Sequence, residues 1–215
     1  DVGIGHLPVD LSAYGGDYRN VDPDILKCHV ELGHQFLSAG GDIPEAVLKV
    51  CLNHHEQLDG KGYPRGISGS EIDTFSRMAA ICDTYDSLVS DTAEGTGMDP
   101  ASALAQMAAM SGWFDREIVQ KFTEAMGIYP IGSVVRLGSG RLAMVIAQDL
   151  SDYTRPRVRT FLSIADRRFV KAEDIALANC FGADEIECTD NPGNYGVADW
   201  PKLRERLRGT GGKGG

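Results

Sequence analysis

HHEQLDGKGYPRGISGSEI, residues 54–72, joins two adjacent histidines to a run too rich in glycine and proline to stay helical. Residues 58–69 therefore read as a loop, with Gly60 and Gly62 supplying unusual backbone angles. Upstream, Ile43, Val47, Val50 and Cys51 fall on one face of a helix spaced at 3.6 residues, predicted over 43–57. His54 is the next position on that face. Adjacent helical residues point about 100° apart, so His54 and His55 could reach two neighbouring metals or one crowded site. Taken alone, the pair reads as readily as two surface imidazoles.

The flanking helices strengthen the metal reading. Residues 22–39 form a predicted helix, with Asp22 as its N-cap, Pro23 in the first turn and Gly40-Gly41 as the stop. His29 lies on the apolar stripe of Ile25, Leu32 and Phe36. Beyond the loop, Ser70 opens a helix to about Val89, in which Asp83 and Asp86 are one turn apart among apolar neighbours. A carboxylate buried there without a partner would be costly. Three successive helices thus each offer a ligand-type side chain to one interior. With Asp1 added, the donors are three imidazoles and two carboxylates, a mixture that suits Fe, Mn or Zn better than Ca or Mg. Two more helices follow, over 99–111 and 115–126.

From Ile131 the periodicity shortens, with β-rich runs at 133–137, 142–147, 157–162 and 168–170. The charge changes at the same place. Residues 1–130 carry 8 Lys/Arg against 20 Asp/Glu, and residues 131–215 carry 13 against 11. A mainly α fold over 1–130, a small antiparallel β-rich module over 131–208 and a flexible glycine-rich tail over 209–215 follow. The acidic first part repels a polyanion unless something cationic sits at the contact, which excludes extended nucleic-acid binding by that part. Arg155, Arg157 and Arg159 alternate along a predicted strand and so share one face, either solvated or a docking surface. The five cysteines are odd in number and lack short paired spacing, so they read as buried, reduced thiols. No run of about 18 apolar residues occurs, as a transmembrane helix would need. The start lacks signal-peptide character, so a cytoplasmic location is expected.

The run at 54–72 closely resembles the signature of HD-GYP domains, a branch of the HD superfamily of metal-dependent phosphohydrolases that hydrolyses cyclic di-GMP. The match continues in HVELGHQFL at 29–37, in RMAAICDTYDSLVSD at 77–91, and in DVGIGHLP at 1–8, which looks like the second half of the His-Asp motif. The resemblance covers about residues 1–126, in several separated motifs in family order. It implies an HD-superfamily helical bundle with Asp1, His29, His54, His55 and Asp83 as ligands of a centre of two or three divalent transition metals, Fe or Mn. Asp1, His54 and His55 would then be catalytic, with a metal-bridging hydroxide attacking the phosphorus. Tyr63 and Arg65 would face the cyclic dinucleotide, where a guanidinium suits a phosphate or a guanine edge. Glu56, Asp59 and Asp86 would orient ligand imidazoles from behind. The run YPIGSVVRLGSGRLAMVI at 129–146 resembles, less closely, a small β extension found after some HD-GYP domains.

Three departures set a second reading beside the first. The His of the His-Asp pair would precede Asp1, so the chain resembles the C-terminal part of an N-terminally truncated domain; Ile4 stands where the family has Lys, and Thr92 stands near the place of an expected Arg. A domain without those cations could be catalytically degenerate and serve as a metal- or nucleotide-binding regulatory or protein-interaction module. Further partners expected are an upstream sensory or receiver domain, a protein partner and a second copy of the chain.

Overall fold

The break in the first long predicted helix is the feature that positions the site. The computed structural model describes residues 1–92, 95–180 and 182–209. In it the predicted helix over 22–39 is two: α1, Pro23–Leu26, and α2, His29–Ala39. Asp22 caps α1 by accepting the Asp24 N–H at 2.9 Å. The interruption at Lys27 and Cys28 lies where His29 Nδ1 takes the Leu26 carbonyl, at 2.6 Å.

Helix α3 runs Glu45–Asn53, shorter than the predicted 43–57. His54 and His55 therefore follow the helix instead of continuing it, which corrects the expectation that both are helical. The physical reason is local: His54 Nδ1 donates to the Val50 and Cys51 carbonyls at 3.0 and 3.1 Å, and while Val50 also keeps its helical bond from the His54 N–H, the Cys51 carbonyl is an acceptor that the helix end leaves open. Helix α4, Thr74–Val89, starts later than Ser70, because residues 69–71 make a 3-10 turn and Asp73 accepts from the Ser76 N–H and hydroxyl. Helices α5, Pro100–Ala109, and α6, Arg116–Met126, are capped by Asp99 and Asp115.

The chain divides into two compact units, Asp1–Asp86 with Met107–Gln120, and Ser87–Gln106 with the chain from Lys121 onward. Helix gives way to strand between residues 126 and 134, whereas the units divide within α4, α5 and α6. The second unit holds an antiparallel sheet of β1, Val134–Leu137; β2, Arg141–Ala147; β3, Arg157–Ser163; β4, Arg168–Ala176; and β5, Ile186–Thr189. Its order is β4-β3-β2-β1-β5. One face buries Val134, Leu142, Met144 and Phe161 under Leu203 and Leu207 of α7, Trp200–Gly209. The other buries Val135, Val145 and Val158 against Leu177. Sequence periodicity missed β5 and α7. The first is only four residues long, and the apolar positions of the second are few among its charges.

Arg157 and Arg159 do share a face, but it is the face that α7 covers. Arg159 is only 4% exposed, pairs with Asp174 through Nε and Nη2 at 2.5 and 2.7 Å, and donates to the Leu207 carbonyl. The reading of a solvated or docking stripe is therefore corrected at Arg159; Arg157 is exposed, and Arg155 precedes the strand. All five cysteines are free thiols, but Cys28 and Cys82 are exposed and the other three half-buried, not buried as expected. Cys28 falls at the α1–α2 break and Cys82 one position off buried Ile81. The predicted flexible tail lies outside the described residues apart from Gly209. No helix among the described residues is long and apolar enough to cross a membrane.

The sheet carries an acid-sensitive fastening. Burial works to raise the pKa of Asp184, but hydrogen bonds from the Ser139 hydroxyl and N–H, at 2.6 and 3.0 Å, and from Arg141 at 3.2 Å outweigh it and hold the carboxyl below its ordinary 3.8. A group with a depressed folded pKa contributes stability above its unfolded pKa and loses it as pH falls through the folded one. Urea unfolding of the wild type and Asp184→Asn is thus expected to show a stability gap at pH 6 that narrows below about pH 4. A gap constant with pH would contradict this.

Candidate metal centre

Gly3 decides how close Asp1 comes to α2. A Cβ built on it would lie 1.8 Å from the His29 carbonyl and 2.7 Å from Gly33 N, so the turn Val2–His6 packs backbone to backbone on the helix. Gly33 is the matching gap on α2, since its own Cβ would meet Cys51 Sγ at 2.9 Å. This contact brings Asp1 Oδ1 to 3.3 Å from His29 Nε2 and 3.1 Å from His54 Nε2.

Asp1, His29, His54 and His55 each offer one ligand atom, and these four atoms lie within 4.8 Å of one another. The backbone fixes two of the rings. A carbonyl can only accept, so Nδ1 of His29 and of His54 carries the proton and each Nε2 presents its lone pair to the cluster. His29 is 4% exposed, and its Nε2 has no hydrogen-bond partner. A buried acceptor of this kind is destabilising unless a proton or a cation meets it. Burial lowers the His29 pKa, and burial together with the neighbouring His54 and His29 lowers that of His55 to about 3. Both rings are therefore neutral at neutral pH, the form in which imidazole binds a metal. The donor set fits a divalent transition metal, and Asp1 supplies the balancing carboxylate.

Asp83 lies with Oδ2 3.8 Å from His55 Nδ1, outside the group of four. It nevertheless lines the same cavity of ≈ 390 Å³ as Asp1, His29 and His54. Burial raises the pKa of its carboxyl. The Tyr63 ring stacks on His55, with centroids 4.7 Å apart and planes 20° from parallel, and burial raises the pKa of its phenol.

The remaining candidates do different work from that expected. Among the described contacts none of Glu56, Asp59 and Asp86 bonds an imidazole; backbone carbonyls hold the His29 and His54 rings. Glu56 is buried and accepts the Arg65 N–H at 2.8 Å. Asp59 accepts the Lys61 N–H at 3.1 Å, and Asp86 is exposed on α4. Arg65 is tied to Asn53 and lines another cavity with Glu45, Lys49 and Asp73. Sequence reasoning missed Asn53 and Gly3. The signals were present, a short polar residue directly before the histidine pair and a glycine two residues after the aspartate.

Residues 1–118 match the family described as HD domain. A cyclic di-GMP phosphodiesterase of Pseudomonas aeruginosa is 33% identical over 186 residues, 86% of this chain and 45% of the relative. One from Thermotoga maritima is 31% identical over 124 residues, 57% of this chain and 34% of the relative. A 3'3'-cGAMP-specific phosphodiesterase of Vibrio cholerae is 58% identical over 36 residues, 17% of this chain and 8% of the relative. The chain spans less than half the length of these relatives.

Proposed function

Because the chain belongs to the HD domain family, and within it to the HD-GYP branch, we propose that it is a metal-dependent phosphodiesterase hydrolysing cyclic di-GMP in bacterial second-messenger signalling. The buried, unpartnered Nε2 of His29 facing the Asp1 carboxylate carries this reading, since it is a lone pair aimed at a place where only a proton or a cation satisfies it. Asp1, His29, His54 and His55, with Asp83 3.8 Å from His55, would hold two or three metals; the mixture of imidazole and carboxylate suits Fe, Mn or Zn, and the resemblance to HD-GYP domains narrows these to Fe or Mn. When bound, such metals supply Lewis acidity toward water and the phosphate oxygens.

The chain's own residues prepare the site. Backbone carbonyls hold the His29 and His54 rings with Nε2 inward, and Tyr63 braces His55 from one face. The low pKa of His55 keeps its lone pair available well below neutral pH. The acidic first part of the chain repels an anionic substrate, so the attraction needed to hold a cyclic dinucleotide has to come from the loaded centre. A cytoplasmic setting, an upstream sensory or receiver domain and a second copy of the chain complete the proposal.

Chelation tests it. Protein supplied with Mn(II) or Fe(II) under reducing conditions is expected to hydrolyse cyclic di-GMP, to stop when the metal is stripped with EDTA, and to recover when it is returned. Running 3'3'-cGAMP in parallel separates the two substrate names found among the relatives. Metal binding without turnover of either dinucleotide would sink the enzyme reading in favour of a degenerate module that binds metal or nucleotide. Ile4 and Thr92, standing where two phosphate-facing cations are expected, are the observation on that side.

A further inference from the structure

Asn53 ends α3 directly before the histidine pair and is only 3% exposed. Its Oδ1 accepts a hydrogen bond from Arg65 Nη2 at 3.0 Å, while the Arg65 backbone N–H donates to Glu56 Oε1 at 2.8 Å. Between them the Tyr63 N–H donates to the His55 carbonyl at 3.2 Å. These three bonds close residues 63–65 onto residues 53–56, and Gly62 leaves no room for slack. A Cβ there would lie 2.4 Å from Gln57 N and 2.5 Å from the His55 carbonyl. The consequence is a fixed seat for the Tyr63 ring on His55.

The geometry points to Asn53 and Arg65 as an internal latch that holds Tyr63 against His55, with Arg65 a positioning residue and not a group that grips the substrate. The inference rests on the reading of His55 as part of the metal centre. One observation favours it over direct substrate contact. The Arg65 side chain lines a cavity of ≈ 320 Å³ with Glu45, Lys49, Asn53 and Asp73, whereas Asp1, His29, His54 and Asp83 line a different one. A buried amide oxygen is also a directional anchor for a planar guanidinium, and removing either partner leaves the other's hydrogen bond unmade. The Arg65 N–H to Glu56 does not depend on the arginine side chain, so cutting the latch loosens the loop without releasing it.

The test uses the Mn(II)-loaded protein and the variants Asn53→Leu, Asn53→Asp, Arg65→Ala and the double Asn53→Leu/Arg65→Ala. Amide hydrogen exchange at Tyr63 and Arg65 and steady-state hydrolysis of cyclic di-GMP are the two readouts. Cutting the latch at either end is expected to speed exchange at both amides and to lower kcat about tenfold with KM little changed, as for a displaced positioning group. The double variant should lose no more than either single one, because partners in one bond are not additive. Asn53→Asp keeps the acceptor and should behave as wild type. Arg65→Ala alters an exposed side chain, so it stays informative if Asn53→Leu does not fold. A rise of about tenfold in KM for Arg65→Ala with Asn53→Leu silent would overturn the latch and make Arg65 a substrate contact. Unchanged exchange in both single variants would overturn it too. A wild type that hydrolyses nothing would count against the proposed function, and the exchange data would still decide the latch.

Discussion

A His29→Ala protein is expected to lose its bound metal, with affinity reduced upwards of about 100-fold, because even groups behind a ligand cost 10 to 100-fold when removed. His29 is the ligand candidate with least freedom to be anything else. It is 4% exposed, its Nδ1 proton is committed to the Leu26 carbonyl, and its Nε2 meets no hydrogen-bond partner. No solvent-facing role is open to such a ring. The substitution also frees the Leu26 carbonyl at the α1–α2 break, so some stability is lost with it. Metal content measured on protein shown by circular dichroism to be folded separates the two effects. Full metal stoichiometry in folded His29→Ala would mean that this cluster is not the centre.

Gly3→Ala should do comparable harm from a residue with no chemistry of its own. The added Cβ would sit 1.8 Å from the His29 carbonyl, a backbone atom within α2 that cannot swing aside as a flexible side chain could. The turn Val2–His6 must therefore lift from the helix and carry the Asp1 carboxylate away from His29 and His54. A steric conflict of this kind costs about 2–3 kcal/mol, seen as a lower thermal midpoint, and metal affinity should fall about tenfold or more with the loss of the carboxylate's position. Gly5 is the internal control. It lies in the same turn, and a Cβ on it would meet nothing within 4 Å, so Gly5→Ala should leave both properties near wild type. Equal behaviour of the two variants would refute the close-packing account.

The parts of the fold that could be read from the chain are those whose signals are local. Caps such as Asp22 and Asp99, the left-handed turn at Gly60, and the alternation within β1 to β3 each act through neighbours a few residues away, whereas Gly62, expected to carry such an angle too, is instead required by its close approach to Gln57 N. The helix ends were less legible. α3 stops at Asn53, where the His54 ring takes the Cys51 carbonyl that a continuing helix would use, a competition that periodicity does not register. Arg159 shows the same limit in the sheet. Alternation placed it on the right face, but nothing nearby in sequence says that α7, some forty residues later, would cover that face and supply the Leu207 carbonyl.

The histidine pair and its loop thus determined the family, and the sequence as a whole determined the candidate donor types and their order along the chain, because residue identity and spacing are properties of the chain itself. Tertiary structure alone decided what those side chains face. It turned the Nε2 atoms of His29 and His54 toward Asp1, set Asp83 3.8 Å from His55, and tied Arg65 to Asn53 beside a different cavity. It also gave Glu56 to the Arg65 backbone in place of an imidazole. The physical reason is that a hydrogen bond or a lone-pair direction depends on which backbone groups remain unsatisfied once the elements have packed, and packing is a property of the whole molecule.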